Sequence, residues 1–138
     1  MSSNLEIKKH FNAKVSDVYD AWTKPEIFSK WMGPGNVKCE KFESDLVVGG
    51  KYEIHMQTED GIKIAYGEYK EILVNEKLSV TWAWKDGDFK DSLVTLLFKA
   101  SENGTEFELF HSNLPSSESA EHHTFGWNSS FEKLEKIL

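Results

Sequence analysis

Apolar and polar residues alternate with two different periods along the chain, and the change from one to the other marks its organisation. Leu5 and Ile7 alternate with Glu6 and Lys8, which predicts a first strand from Leu5 to Phe11, with Phe11 joining the apolar face after a slip in phase. Val15, Val18, Tyr19 and Trp22 then fall at i, i+3, i+4 and i+7, one face of a helix. Ser16 reads as its N-cap, with Asp17 and Asp20 in the first turn where the helix dipole favours negative charge. A second short helix is predicted directly after it, because Thr23-Lys24-Pro25-Glu26 has the spacing of a capping box with a proline in the first turn. Gly33-Pro34-Gly35 stops it.

From Val37 to His111 the period is two, and turn signals recur at hairpin spacing. The predicted strands are Val37 to Glu43, Lys51 to Thr58, Ile62 to Leu73, Lys77 to Lys85, Ser92 to Ala100 and Thr105 to His111. Asp60-Gly61, Asp86-Gly87 and Asn103-Gly104 between them are strong hairpin turns, and Gly49-Gly50 and Asn75-Glu76 mark two more. Tyr52, Ile54, Met56, Leu78, Val80, Trp82, Trp84, Val94, Leu96, Phe98, Phe107, Leu109 and His111 share one face. Glu53, Gln57, Ser79, Thr81, Thr95, Lys99, Glu106 and Glu108 occupy the other, so one side of the sheet is wet and the other covered.

The cover is predicted from Ser117 to Leu138, where Ala120, Thr124, Trp127, Phe131, Leu134 and Leu138 form a helical stripe. Such a helix is about 30 Å long, enough to lie along a curved sheet. Gly126 inside it costs about 1 kcal/mol relative to alanine, so it answers either to close approach or to spare volume beside the helix. The fold class is therefore α+β: a curved antiparallel sheet of six to seven strands, two short helices and a long C-terminal helix packed across it, in a single domain. With 138 residues, no disulfide or metal is needed to build a core.

Composition narrows the function classes. All 16 basic residues are lysine and the formal net charge is −7, so there is neither a basic footprint for nucleic acid nor a guanidinium fork for phosphate. The segment from Met1 to Phe11 mixes charges into its apolar residues and reads as neither a signal peptide nor a membrane span. The lone Cys39 forms no internal disulfide; a cytoplasmic location is expected. No phosphate-binding loop is present, since Gly33-Pro34-Gly35 lacks the Lys-Ser/Thr that follows one, and no cofactor is expected.

A set of ordered motifs covers nearly the whole chain: Ala21-Trp22-Thr23-x-Pro25-Glu26, Trp31-x-Gly33-Pro34, Asp45-Leu46-x-x-Gly49-Gly50-x-Tyr52-x-x-x-Met56, Gly67-x-Tyr69-x-Glu71-Ile72, Leu78-x-Val80-Thr81-Trp82, Gly104-Thr105-x-Phe107-x-Leu109-x-His111 and Gly126-Trp127. In this order they resemble the START-like (SRPBCC, Bet v 1-like) superfamily with its helix-grip fold, and within it the group of homologues of the activator of heat-shock protein 90 ATPase. The resemblance implies a hydrophobic cavity between sheet and long helix, used by different members for lipids, polyketides, hormones or aromatic metabolites, with no common catalytic residue. It also implies a chaperone contact and a role in stress response. Val47-Val48 stand where the group usually has Arg-Pro, which removes that arginine's charge.

The expected ligand-binding walls are Phe28, Trp31, Tyr52, Met56, Tyr66, Trp82, Trp84, Phe98, Phe107 and Trp127, with His111 and His123 as polar groups. Aromatic rings fill cores whether or not a ligand exists, so core packing stands beside each of these assignments. A buried His111 needs partners for both ring nitrogens, from a ligand, a tyrosine or Asn113. Glu118 and His122 are i, i+4, but His122 and His123 point about 100° apart on a helix and do not easily share a metal ion. Ser116 and Ser117 read as helix caps, and Asp45 as a turn acceptor. Three functions follow: binding of a small neutral aromatic or lipid-like molecule without catalysis, a cyclase or hydrolase using His111 with Tyr52 or Glu71, or a chaperone-interacting protein.

Overall fold

The computed structural model describes residues 3–87 and 92–138; Met1 and Ser2, at the start of the expected domain, lie outside them. The described chain runs β1 (Ser3–Phe11), α1 (Val15–Thr23), α2 (Pro25–Phe28), β2 (Lys38–Ser44), β3 (Lys51–Thr58), β4 (Gly61–Leu73), β5 (Lys77–Trp84), β6 (Ser92–Ser101), β7 (Gly104–Leu114) and α3 (Ser117–Ile137). All strands join one antiparallel sheet of seven, in the order β1-β7-β6-β5-β4-β3-β2. The hairpin turns set the meander from β2 to β7, and β1 closes onto β7. Register shifts between Cys39 and Lys41 and between Tyr69 and Glu71 bend the sheet.

Several expectations need correction. The first strand has no phase slip: Lys9 pairs with Phe107, between Ile7 opposite Leu109 and Phe11 opposite Thr105, so it occupies an inward position. Lys9 is tolerated there because its ammonium reaches Glu135 of α3 at the rim. Ser16 is not the cap of α1; Lys14 holds that place with extended backbone, and its carbonyl accepts the first helical N–H groups. Asp20 therefore sits beyond the first turn and pairs with Lys24 at 3.3 Å. Thr23 does not cap α2 either, since its hydroxyl donates back to the Tyr19 carbonyl at 3.1 Å, although Pro25 does open that helix. On the outer face Ser79 is buried, held against Thr95 across the ladder.

The covered face is a dense aromatic core. Phe11, Trp22, Phe107 and Phe131 meet edge-on or stacked at centroid distances of 5.5 to 6.1 Å. Such pairs contribute about 0.5–1.5 kcal/mol each beyond the area they bury. Gly67 is where β4 and β5 press together, since a Cβ there would collide with the Thr81 carbonyl oxygen. The Tyr52 side chain, opposite Gly67 on β3, donates its hydroxyl to that same Thr81 carbonyl at 2.6 Å. A missing side chain on one strand thus gives a neighbouring ring its route across the sheet.

Candidate ligand cavity

Ser116 caps α3 by accepting the Ser119 N–H at 3.1 Å, and from there the helix turns Ala120, Trp127, Ser130, Phe131 and Leu134 toward the sheet. Its C-terminal half packs on the aromatic core. At Gly126, midway along the helix, that packing is interrupted, because a Cβ there would meet no neighbouring atom within 4 Å. Of the two explanations for this glycine, spare volume is the one found. The loop after α2 forms the opposite lip: the Gly33 N–H donates to Ser130 Oγ at 3.2 Å and the Gly35 N–H to Ser129 Oγ at 2.9 Å. Ser130 passes its own proton to the Gly126 carbonyl at 2.9 Å.

Between them lies a cavity of about 330 Å³, lined by Met32, Gly33, Pro34, Met56, Trp82, Trp84, His122, His123, Gly126, Trp127 and Ser130. A second, inner cavity of about 40 Å³ shares Trp82 and Trp127 with it and is otherwise walled by rings and aliphatic side chains, among them Trp22, Phe28, Tyr52 and Tyr69.

The expected site residues divide accordingly. Met56, Trp82, Trp84, His123 and Trp127 line the larger cavity, and Phe28 and Tyr52 the inner one. Trp31, Phe98 and Phe107 are core: Trp31 donates its indole N–H to the Ala21 carbonyl at 3.0 Å, and Phe98 packs on Tyr19 and Phe107. Tyr66 is on the outer face, paired with Glu53 and Ala83 and lying under the Lys85 ammonium. It is no wall of either cavity, because its place in β4 is one residue out of step with the inward Ala65 and Gly67.

His111 lies behind the larger cavity, fully buried, with both nitrogens engaged. Ser92 Oγ donates to the Trp82 carbonyl, so it accepts from His111 Nε2 at 3.0 Å; Trp127 Nε1 donates to His111 Nδ1 at 3.2 Å. This makes His111 a neutral ring protonated on Nε2. Burial, helped by the nearby His123, pushes its pKa down to about 3. Neither a tyrosine nor Asn113 is a partner in these bonds. Ser92 and His111 have the spacing of a nucleophile and its base, but the proton runs from histidine to serine, the reverse of what activation needs. His123 is held the other way round, Nδ1 donating to the Ser119 carbonyl at 2.8 Å while Nε2 accepts from Trp84 Nε1 at 3.2 Å, and burial lowers its pKa too.

The cyclase or hydrolase grouping is not assembled. Glu71 points to the outer face opposite Ser79 and pairs with Lys77 at 2.8 Å, while the Tyr52 hydroxyl is taken by Thr81, and burial drives its pKa well above that of a free phenol. Among the described residues, no group of three potential ligating side chains gathers to hold a metal.

Two indole donors stand apart. The chain has five tryptophans. Trp31, Trp84 and Trp127 each donate to an acceptor supplied by the fold. Trp22 Nε1 and Trp82 Nε1 are buried with no partner among the described residues, and both rings wall the inner cavity. Leaving such a donor unsatisfied costs about 1–3 kcal/mol.

Residues 12–138 match the family described as Activator of Hsp90 ATPase homolog 1-like protein. The chain belongs to this family. No curated protein is similar enough to match it. Solved structures are: protein CV1439 from Chromobacterium violaceum superposes with a TM-score of 0.90 at 22% identity, over 97% of this chain and 95% of that one. An AHSA1 protein from Silicibacter pomeroyi gives 0.84 at 21% identity, over 98% and 96%. CalU16 from Micromonospora echinospora gives 0.74 at 22%, over 96% and 74%. At these identities the likeness establishes the helix-grip fold shared with the START-like superfamily. Val47 and Val48, expected to stand in place of an Arg-Pro pair, lie on an exposed loop and line neither cavity. The polarity of the site is set by the cavity walls themselves.

Met32, Gly33, Pro34 and His122 are cavity residues that periodicity did not indicate. Trp31-x-Gly33-Pro34 marked the loop as a unit, but its side of the fold is decided by the serines of α3 that hold it.

Proposed function

We propose that this protein binds a small, neutral, mostly apolar molecule in the cavity between its sheet and α3, without catalysing a reaction on it. The observation that carries this reading is the cavity of about 330 Å³ walled by Trp82, Trp84, Trp127, Met32 and Met56 and left unfilled at Gly126. A well-packed interior has few voids larger than a water molecule, and ligand sites for small molecules are apolar clefts of about 300–1,000 Å³ with few polar groups. Neutrality is supported by the walls: His123 and Ser130 are engaged with Trp84, Gly33 and Gly126, His122 is at the exposed edge, and among the described residues no lysine, aspartate or glutamate lines the cavity. A charge brought there would lose water without gaining a partner. A cytoplasmic location suits a buried free thiol such as Cys39; no described helix is long and apolar enough to cross a membrane.

The test is titration of the ¹⁵N-labelled protein with fluorene and with a panel of neutral polycyclic and fatty-acyl compounds. Saturable shifts at the Gly126 amide and the Trp84 and Trp127 indoles are expected; a panel that moves none of them overturns the reading. The family's description points to a second reading, contact with a heat-shock protein 90 class chaperone, for which the exposed Leu46, Val47 and Val48 offer an apolar loop. Retention of the protein on such a chaperone, lost on Val47→Asp with Val48→Asp, would support it.

A further inference from the structure

Past the cavity's lip, the loop after α2 walls a second concavity. Gly33 and Pro34 line the cavity, whereas Gly35, Asn36 and Val37 border a groove of about 590 Å³ that continues onto the start of β2 and the C-terminal half of α3. Three lysines from distant parts of the sequence meet there: Lys30 after α2, Lys38 opening β2 and Lys133 on α3. Eight lysines among the described residues pair with a carboxylate within 4.0 Å, elsewhere on the surface. Lys30, Lys38 and Lys133 have no such partner among the described residues, and none of the aspartates or glutamates described lines the groove. Lys30 stands on the ridge shared with a neighbouring groove that holds Asp17 and Asp20, so Lys38 and Lys133 are the principal charges on this one.

Lys133 is the most constrained of the three. Its partly buried ammonium donates to the Val37 carbonyl at 3.0 Å. An ammonium has three N–H donors, so two are left with no protein acceptor among the described residues. Burial draws its pKa below that of a free lysine, since no carboxylate offsets the water it has lost. An anion in the groove would supply acceptors and countercharge together. Met32, Val37 and Cys39 add apolar surface beside the charges. The formal net charge of −7 hides this local excess, because the three lysines are brought together only by the fold.

We infer that this groove binds a small phosphomonoester, its phosphoryl oxygens on the Lys133 and Lys38 ammonium groups with Lys30 beside them, and a compact apolar group against Met32 and Val37. The site is separate from the cavity of the proposed function and goes beyond that reading. Lysine meets an anion as a point charge and lacks the planar fork with which arginine selects a carboxylate, so three ammonium groups around one space favour the anion with more charge and more terminal oxygens. A phosphomonoester brings a charge of about −1.5 to −2 and three such oxygens, a carboxylate a single charge and two. A soluble molecule is favoured over a membrane headgroup, because an anionic lipid surface repels a chain of net charge −7.

The experiment titrates the ¹⁵N-labelled protein with phenyl phosphate and with benzoate at constant ionic strength and a pH above 7. Phenyl phosphate is expected to give saturable shifts centred on the amides of Asn36, Lys38, Cys39 and Lys133, and to bind about tenfold more tightly than benzoate. Lys133→Gln should weaken it about tenfold and Lys38→Gln about threefold, whereas Lys99→Gln, at an exposed lysine of β6, leaves it unchanged. Lys38 is exposed, so its variant keeps the test open should Lys133→Gln fail to fold. Equal affinity for phenyl phosphate and benzoate overturns the inference. Shifts spread evenly over lysines outside the groove overturn it too, by showing a non-specific ion atmosphere only. Shifts confined to the Gly126 amide and the Trp84 and Trp127 indoles overturn it and support the cavity reading instead. Absence of phenyl phosphate binding, or binding of phosphatidic acid vesicles alone, overturns the inference and leaves the cavity reading, tested with fluorene, untouched.

Discussion

Filling the space at Gly126 separates its two structural consequences. A glycine inside a helix is less stable than alanine by about 1 kcal/mol, mainly through the freedom its backbone loses on folding. An added methyl at this position meets no atom within 4 Å, so it gains little dispersion energy and suffers no clash. Gly126→Ala should therefore stabilise the protein by about 1 kcal/mol and not by the larger amount a packed methyl would add. With an unfolding entropy of about 2.1 cal/mol/K per residue, a 138-residue domain gains about 3 °C in Tm from that amount. Gly126→Leu goes further, because its longer side chain enters the cavity bounded by Trp82, Trp84 and Met32. It should keep or raise Tm while weakening fluorene binding at least tenfold. Calorimetric melts of both variants, with titrations of the leucine variant, give the measurement. A lower Tm for Gly126→Ala would mean that packed atoms occupy the space, and undiminished binding by Gly126→Leu would place the ligand elsewhere; either result refutes the cavity as the reason for this glycine.

Three other outcomes are expected. Burial and the neighbouring His123 hold the folded-state pKa of His111 at about 3, below the usual 6.5, so the unfolded chain takes up the proton first as pH falls. The stability this contributes is complete above pH 6.5 and is lost toward about pH 3, a total of order 5 kcal/mol; urea midpoints between pH 7 and 4 should fall more steeply for wild type than for His111→Gln, and parallel curves would refute the assignment. Ser92→Ala strands the His111 Nε2–H and the Trp82 carbonyl together and should cost about 2–4 kcal/mol in urea unfolding, whereas a loss under 0.5 would mean the bonds are unimportant. Gly67→Ala forces a methyl against the Thr81 carbonyl and should cost about 3 kcal/mol or more; a wild-type Tm would show that β4 and β5 are not pressed together there.

The site was only partly legible in the sequence, and the residues that went astray share a cause. Met56, Trp82, Trp84 and Trp127 followed from period-two and helical stripes, since a residue's side of its element is a local property. Tyr66 went to the wrong face because β4 is long, shifts register after Tyr69 and offers apolar residues on both faces, so alternation alone did not fix which row was inward. Lys9 looked like an interruption because a charge on an inward position is interpretable only when its partner, Glu135, is known, and that residue is far away in sequence. Ser16 and Thr23 carried capping chemistry at suitable spacing, but the chain entered its helices earlier and later than those side chains required.

By itself the sequence determined the order of elements, the turns, the wet and covered faces of most strands and the family, because all of these depend on local period and short motifs. It also raised the right question about Gly126, since a helix glycine has a cost whatever surrounds it. Only the tertiary structure decided the answer, open space, because volume is set where residues distant in sequence stop approaching one another. It alone decided the state of His111 as well. A histidine's role depends on which nitrogen holds the proton, and that was set by Ser92 on one strand and Trp127 on a distant helix. The same long-range pairing supplied acceptors to three indoles and left those of Trp22 and Trp82 without one, a distinction that no property of the tryptophans in sequence contains.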